Sequence, residues 1–372
     1  MAREKFKEFN GCNFLRQRLI LSILTSRPVK ISKIRYKDDD PGLRDFETSL
    51  IQLLGKITNG SKIEVSETGT SVLCQPGILT GGRIEHDCGV ERGLGYFLEV
   101  LLALGPFCKN PLHVTLTGVT NNQIDPSVDL IKASFLPVVR KFLLDDEGLE
   151  IKILKRGAAP QGGGQVLLRC PVKRQLRPVQ IVDQGKIKRI RGTAWAVRVS
   201  PSVPNRVVEA TKGILLKFIP DVYIYTDHFT GAKSGKSPGF GLTLSAETNT
   251  GMILSAEVCS NPSGGDPTVP EELGVLGAKM LLEEIYRGGC ADSSSQSLAA
   301  LYMSMGPADV SKYLVGPLSP YTVQFLRHIR DFVDTMFKLE TKSEEENLRT
   351  GTDKVLLTCV GIGFTNLSKR TT

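Results

Sequence analysis

Three consecutive glycines, Gly162, Gly163 and Gly164, sit in the segment Arg156-Gly-Ala-Ala-Pro-Gln-Gly-Gly-Gly-Gln-Val166 and are the residues best suited to hold an anion on backbone N–H groups. Glycine admits φ > 0 and lets another backbone come close, the two properties such a loop needs. The segment lacks the Lys-Ser/Thr ending of a P-loop, so Walker-type ATP chemistry is not supported. The competing reading is a plain turn between strand-like runs at 149–154 and 166–170. Proton transfer would need histidine, and His86, His113, His228 and His328 are each isolated in sequence. His328 lies in Arg327-His-Ile-Arg330, where the imidazole could act as acid or base and the arginines could hold a scissile phosphate. The simpler account of that segment is an amphipathic helix. Val323, Leu326, Ile329, Phe332, Val333 and Met336 form an apolar stripe, and Arg327–Asp331 and Arg330–Asp334 are i,i+4 pairs on exposed faces.

Metal and redox chemistry find little support. The eight cysteines, at 12, 74, 88, 108, 170, 259, 290 and 359, include no CxxC pair and no clustered histidine partner. That argues against a zinc ribbon or a redox dithiol, and reduced, buried thiols are expected instead. No metal site and no cofactor is expected.

The net charge of +8 and a pI near 9.0 point to a nucleic-acid or acidic protein partner. The densest cationic run is Lys186-Ile-Lys-Arg-Ile-Arg191. As a strand it turns Lys186, Lys188 and Ile190 one way and Ile187, Arg189 and Arg191 the other. Lys186, Lys188, Arg189 and Arg191 are therefore the candidates for RNA or partner contact, with an acidic inter-domain contact, a solvated face or a nuclear-import signal as alternatives. No apolar run approaches the roughly 18 residues of a membrane-spanning helix. The first ten residues also lack a signal peptide's apolar segment.

Positioning these residues requires a mixed α/β chain. Phe14, Leu15, Leu19 and Ile23 recur at helical spacing, then 28–34 reads as a strand, 43–54 as a helix and 61–65 as a strand. The order returns with a helix over 93–104, a strand at 113–117, a helix opened by Asp125-Pro126, with the aspartate as cap, and a strand at 149–154. Such repetition implies layered α/β units. A separate unit is expected over 186–268, closed by the Gly/Pro-rich run 260–267, ahead of a helix starting at Pro270. The division is thus 1–185 for the first part of the core, 186–268 for an inserted α/β domain and 269–372 for the second part. The charge run 341–346 is expected to be solvated and the tail 366–372 mobile.

An ordered set of segments across nearly all 372 residues resembles the RNA 3'-terminal phosphate cyclase family. Arg156 to Val166 is similar to its signature, Gly11-Cys-Asn-Phe-Leu-Arg16 to its first glycine-rich segment, and Pro41-Gly-Leu-Arg44 to its second arginine motif. Ser237 to Thr248 resembles an insert-domain strand, and Gly361 to Asn366 the C-terminal ending. The resemblance implies three repeated two-layer α/β units around a pseudo-threefold axis, with a smaller α/β insert domain. It also makes Arg44 a candidate anion contact beside the glycines.

Cyclases adenylylate an active-site histidine, pass AMP to a terminal RNA phosphate and close a cyclic ester. In the segment that resembles that region, Tyr321 stands where the histidine is expected. Phe46 and Glu47, within Asp45-Phe46-Glu47, replace a Pro-Gln-His run. Asn10-Gly-Cys-Asn13 lacks acidic and glutamine positions, and Ser297-Leu298 replaces an acidic–glutamine pair. The chain most closely resembles the non-cyclizing branch, which implies no catalytic residue and loss of cyclase activity. The branch implies a nuclear, nucleolar factor of the small-subunit processome, needed for early cleavages leading to 18S rRNA. Its implied partner is a large ribosome-biogenesis GTPase; the +8 charge is compatible both with direct pre-rRNA contact and with an acidic segment of that GTPase. A pre-rRNA endonuclease and a residual cyclase are the alternatives.

Overall fold

The computed structural model describes residues 6–342 and 351–369. The first unit runs β1 (Lys7–Asn10), α1 (Leu15–Thr25), β2 (Val29–Ser32), α2 (Asp45–Ile57), β3 (Thr58–Asn59), β4 (Lys62–Val65) and β5 (Val72–Gln75). β6 (Ile78–Leu79) pairs with β3 as a small ribbon. The second unit has β7 (Gly81–Asp87), α3 (Leu94–Leu104), β8 (Asn110–Gly118) and α4 (Val128–Leu130). A π turn, Ile131–Phe135, carries α4 into α5 (Leu136–Phe142), before β9 (Glu150–Lys155) and β10 (Gly164–Cys170). β11 (Gln180–Ile181) opens the third unit.

The chain then leaves that unit for β12 (Ile187–Val197), α6 (Ser202–Leu215), β13 (Val222–Phe229), β14 (Gly239–Thr248), β15 (Ile253–Cys259) and α7 (Pro270–Arg287). It returns through α8 (Gln296–Ser304), β16 (Val310–Val315), α9 (Pro320–Val333), β17 (Lys338–Lys342) and β18 (Lys354–Val360).

Three of the sheets share one connectivity. Their orders are β1-β2-β5-β4, β7-β8-β10-β9 and β11-β16-β18-β17. In each, the first pair is parallel and the next two are antiparallel. A helix links each parallel pair, as a parallel crossover requires, and the final pair closes as a hairpin. The repeat expected from sequence is thus a repeat of topology, with the insert spliced between the third unit's first strand and its first helix.

One apolar core joins the three units. α3 and α8 are buried at every position, because both sequences are apolar nearly all round. Glu99 is the one charged residue in α3, and it is buried there.

The insert has its own core beneath the sheet β13-β12-β14-β15. Leu273, Ala278 and Leu281 of α7 join Ile190, Val207 and Leu244 there, so the insert's helical layer extends past the expected boundary at 268. Gly274 allows this packing: a Cβ on it would lie 2.5 Å from the Val207 carbonyl oxygen of α6.

Other local expectations change. Ser127, not Asp125, caps the helix at α4, its side chain accepting from Leu130 N–H at 3.1 Å. Asp125 reaches back to the start of α3 and accepts from Gly93 N–H at 2.8 Å. Asn366, in the tail expected to be mobile, is buried and donates to the Cys108 carbonyl at 2.9 Å. Residues 370–372 of that tail and 343–346 of the charge run lie outside the described residues.

Candidate functional site

Tyr321 enters α9 directly behind Ser319 and Pro320. Ser319 caps the helix by accepting from Thr322 N–H at 3.2 Å, and proline at the first helical position has no N–H to leave unsatisfied. The Tyr321 side chain turns into a cleft of about 620 Å³ lined by Arg16, Glu99, Pro126, Tyr286 and Ser294. Its hydroxyl donates to Glu99 Oε1 at 2.8 Å, and Arg16 Nη1 donates to Glu99 Oε2 at 2.5 Å. The Arg16 guanidinium stacks 4.3 Å from the Tyr96 ring centroid and 5.6 Å from that of Tyr321. Gln17 Nε2 holds the Tyr321 carbonyl at 3.0 Å.

Burial and the Glu99 carboxylate push the Tyr321 phenol far above tyrosine's ordinary range, with Arg16 only partly opposing them. Burial acts against the charge on Arg16, but Glu99 and the two tyrosines outweigh it and hold the guanidinium firmly protonated. A phenol raised this far stays neutral near neutral pH, and the carboxylate in reach to take its proton is already ion-paired to Arg16, so the hydroxyl is a poor nucleophile.

The replaced positions around this cleft have structural roles. Phe46 meets Tyr96 edge-on, with centroids 5.4 Å apart, and Arg92 lies 5.0 Å from Phe46 and 4.6 Å from Tyr96. Arg92 grips Asp125 with two hydrogen bonds, one of them Nε to Oδ2 at 2.8 Å. Glu47 is buried, accepts from Arg44 N–H at 2.9 Å at the start of α2, and forms a forked pair with Arg35 at 2.6 and 3.0 Å. Ser297 and Leu298 are buried within α8 and do not line the cleft. The neighbouring Gln296 reaches the Tyr321 turn instead, at the Pro317 carbonyl (3.3 Å) and Ser319 N–H (3.2 Å). The sequence reading missed Arg16, Glu99 and Gln296. A single carboxylate in the wholly apolar run 94–104 is the signal that would have found Glu99.

His328 is buried, 2% exposed, between Phe9 and Phe14. Its Nδ1–H donates to Gln17 Oε1 at 2.9 Å while Nε2 accepts from Gln324 Nε2 at 3.1 Å, an arrangement that suits the neutral ring. Neither i,i+4 pair expected on this helix forms. Arg327 leans to Gln324 Oε1 at 3.5 Å, and Arg330 Nε lies 3.9 Å from Asp331. Asp334 adopts φ 56° and ends the helix. Met336 therefore falls beyond the apolar stripe and is 75% exposed, whereas Ile329 and Phe332 are fully buried.

The glycine loop is a backbone crossing rather than an open cradle. Gly162 and Gly163 take φ 59° and 80°, and Gly164 begins β10. Gly162 N–H donates to the Ala158 carbonyl, and its own carbonyl accepts from Lys236 N–H at 2.9 Å. A Cβ on Gly162 would lie 2.9 Å from Gly118 O, and one on Gly164 2.5 Å from Thr120 Cγ2. Replacing Gly162 by valine is expected to cost about 1–3 kcal/mol in backbone strain, before the added clash. A urea midpoint equal to that of wild type would refute this. Among the described residues Arg44 forms no hydrogen bond or ion pair with the loop; it pairs with Asp40.

The cationic run does not form one patch. The register of β12 shifts between Ile187 and Arg189, which returns Ile187 to the core face with Ile190 and corrects the simple alternation. Arg189 pairs with Glu247 at 2.7 Å, and Arg191 forms a forked pair with Asp221 at 2.7 and 3.0 Å. Lys186 and Lys188 are exposed.

Comparison with known proteins agrees with this architecture. Residues 7–339 match the family described as RNA 3'-terminal phosphate cyclase. The chain is 62% identical to the RNA 3'-terminal phosphate cyclase-like protein of Mus musculus, covering 97% of each. It is 57% identical to the probable cyclase-like protein of Drosophila melanogaster, covering 97% of this chain and 96% of that one. It is also 44% identical to the rRNA processing protein rcl1 of Schizosaccharomyces pombe, covering 100% of this chain and 99% of that one. A family match over most of the length, carried by a thrice-repeated sheet, establishes that the chain belongs to the RNA 3'-terminal phosphate cyclase family.

Proposed function

We propose that this protein is a non-catalytic member of its family that acts as an assembly factor in rRNA processing. The observation that carries the reading is the Tyr321–Glu99–Arg16 set, in which the residue standing for a nucleophile is half-buried and protonated, and its carboxylate partner is tied up by Arg16. The rRNA-processing name of a relative matched end to end supports the setting. In this reading the protein works in the nucleus, within the nucleolus, as part of the small-subunit processome. It docks to a large ribosome-biogenesis GTPase and supports the early cleavages that lead to 18S rRNA. The buried, neutral His328 speaks against a nuclease centred on α9.

Purified protein incubated with ATP, magnesium and RNA ending in a 3'-phosphate should form no 2',3'-cyclic phosphate. Tyr321→His alone should not restore the reaction, since Glu99 and Arg16 remain locked together and several supporting groups differ. Time-dependent cyclization lost in Tyr321→Phe would overturn the non-catalytic reading. Depleting the protein from cells should cause 18S precursors to accumulate, and affinity capture should recover the GTPase.

A further inference from the structure

Helices α6 and α7 cover one face of the inserted sheet; on the other, α4 and the π turn meet β14 and β15, while Tyr223 and Tyr225 at the β13 edge stay exposed. Ile190, Val222, Ile224, Leu242 and Leu244 pack beneath α6 and α7. The residues alternating with them lie on the opposite face. There β13, an edge strand, carries Tyr223 and Tyr225, 51% and 58% exposed, with ring centroids 4.5 Å apart at 73°. In register beside them on β12 stand Arg191 and Thr193, followed on β14 by Ser245 and Thr243.

The face opens on a cleft of about 470 Å³, whose far wall brings Lys132 from the π turn and Lys152 from β9. Arg156 pairs with both carboxylates lining the cleft, Asp129 and Asp227. Lys132 and Lys152 form no ion pair among the described residues. Two buried polar atoms of cleft residues, Arg156 Nε and Thr243 Oγ1, have no hydrogen-bond partner there.

Neighbouring exposed rings on an edge strand give flat apolar faces, the nearby cations give phosphate contacts, and the hydroxyls suit base edges. We propose that this face of the insert binds single-stranded RNA, with bases stacked on Tyr223 and Tyr225 and phosphates met by Arg191, Lys132 and Lys152. A duplex keeps its bases stacked inside, out of reach of the rings. An acidic protein segment would use the cations and leave the rings idle. The proposal rests on the rRNA-processing reading and assigns it an RNA site.

The test is fluorescence anisotropy of the full chain with a short labelled oligouridine, a duplex of equal length and a labelled polyglutamate peptide. Tyr223→Ala/Tyr225→Ala should weaken oligouridine binding about tenfold or more, since each base–aromatic stack is a large part of single-strand affinity. Tyr223→Phe/Tyr225→Phe should keep it. Lys132→Glu/Lys152→Glu should weaken it and flatten its salt dependence. All these side chains are exposed, and thermal unfolding of each variant checks that the fold is kept. Equal affinity of wild type and the double alanine variant would overturn the proposal, as would a polyglutamate affinity that falls in step with that for RNA. If wild type binds no oligouridine, the site falls, while 18S precursor accumulation on depletion still judges the wider reading separately.

Discussion

Replacing Arg156 by methionine is expected to lower stability by about 3–5 kcal/mol, as removal of one partner from a buried ion pair typically does. Arg156 is 1% exposed. It makes two hydrogen bonds to Asp129, one of them Nη2 to Oδ1 at 2.9 Å, and reaches Asn121 Oδ1 at 3.0 Å and Asp227 Oδ2 at 3.1 Å. Its guanidinium also lies 5.4 Å from Trp195 and 5.2 Å from Phe229. Asp129 belongs to the second unit and Asp227 to the insert, so the arginine ties the two together.

Burial alone would raise the Asp129 pKa, but Arg156 outweighs burial and holds it below the ordinary carboxylate range. The stabilisation from this pair is therefore complete above the unfolded carboxyl pKa and is lost as pH falls through the folded one. Urea denaturation at neutral pH measures the cost, and the gap between wild type and variant should narrow in acid. Arg156→Met/Asp129→Asn should recover part of the loss by removing the stranded charge. A cost under about 1 kcal/mol would show that the pair does not hold the insert in place.

Acidification from about pH 6.5 to about 4 should remove up to about 3 kcal/mol of stability through His328 alone. Burial, with Arg18 adding a like charge, lowers its pKa from 6.5 to about 4. Across that window the unfolded chain binds a proton that the folded chain refuses, so stability falls as pH falls and levels off below the folded value. Protonation would also set Nε2–H against the Gln324 amide donor. Urea midpoints across this range, compared between wild type and His328→Gln, isolate the contribution. Identical pH profiles for the two proteins would sink it. The same shift leaves His328 uncharged at neutral pH, which is why it makes a poor acid for RNA cleavage.

Patterns confined to one element were legible in the chain. The alternation that buries Val222 and Ile224 leaves Tyr223 and Tyr225 outside, and Pro270 opens α7 as expected for proline at a first helical position. Position 321, where a tyrosine stands for the cyclase histidine, was equally readable. The shift in β12 was not, because a bulge depends on the partner strand. Nor was the end of α9 at Val333, where Asp334 turns left-handed and leaves Met336 outside.

By itself, then, the sequence determined the α/β class, the repeated order of elements and the family resemblance. Each depends on residue types at short spacing, where side-chain periods of two and 3.6 act directly. Only the tertiary structure decided what the singled-out residues do. Tyr321 meets Glu99 across 222 positions, Arg16 meets Glu99 across 83, and His328 meets Gln17 across 311. The glycines became a crossing of backbones, and Arg156, read only as the start of their loop, became the tie between two units. Contacts of that reach depend on how whole elements pack, and no local pattern in the chain encodes which charged groups will share a buried space.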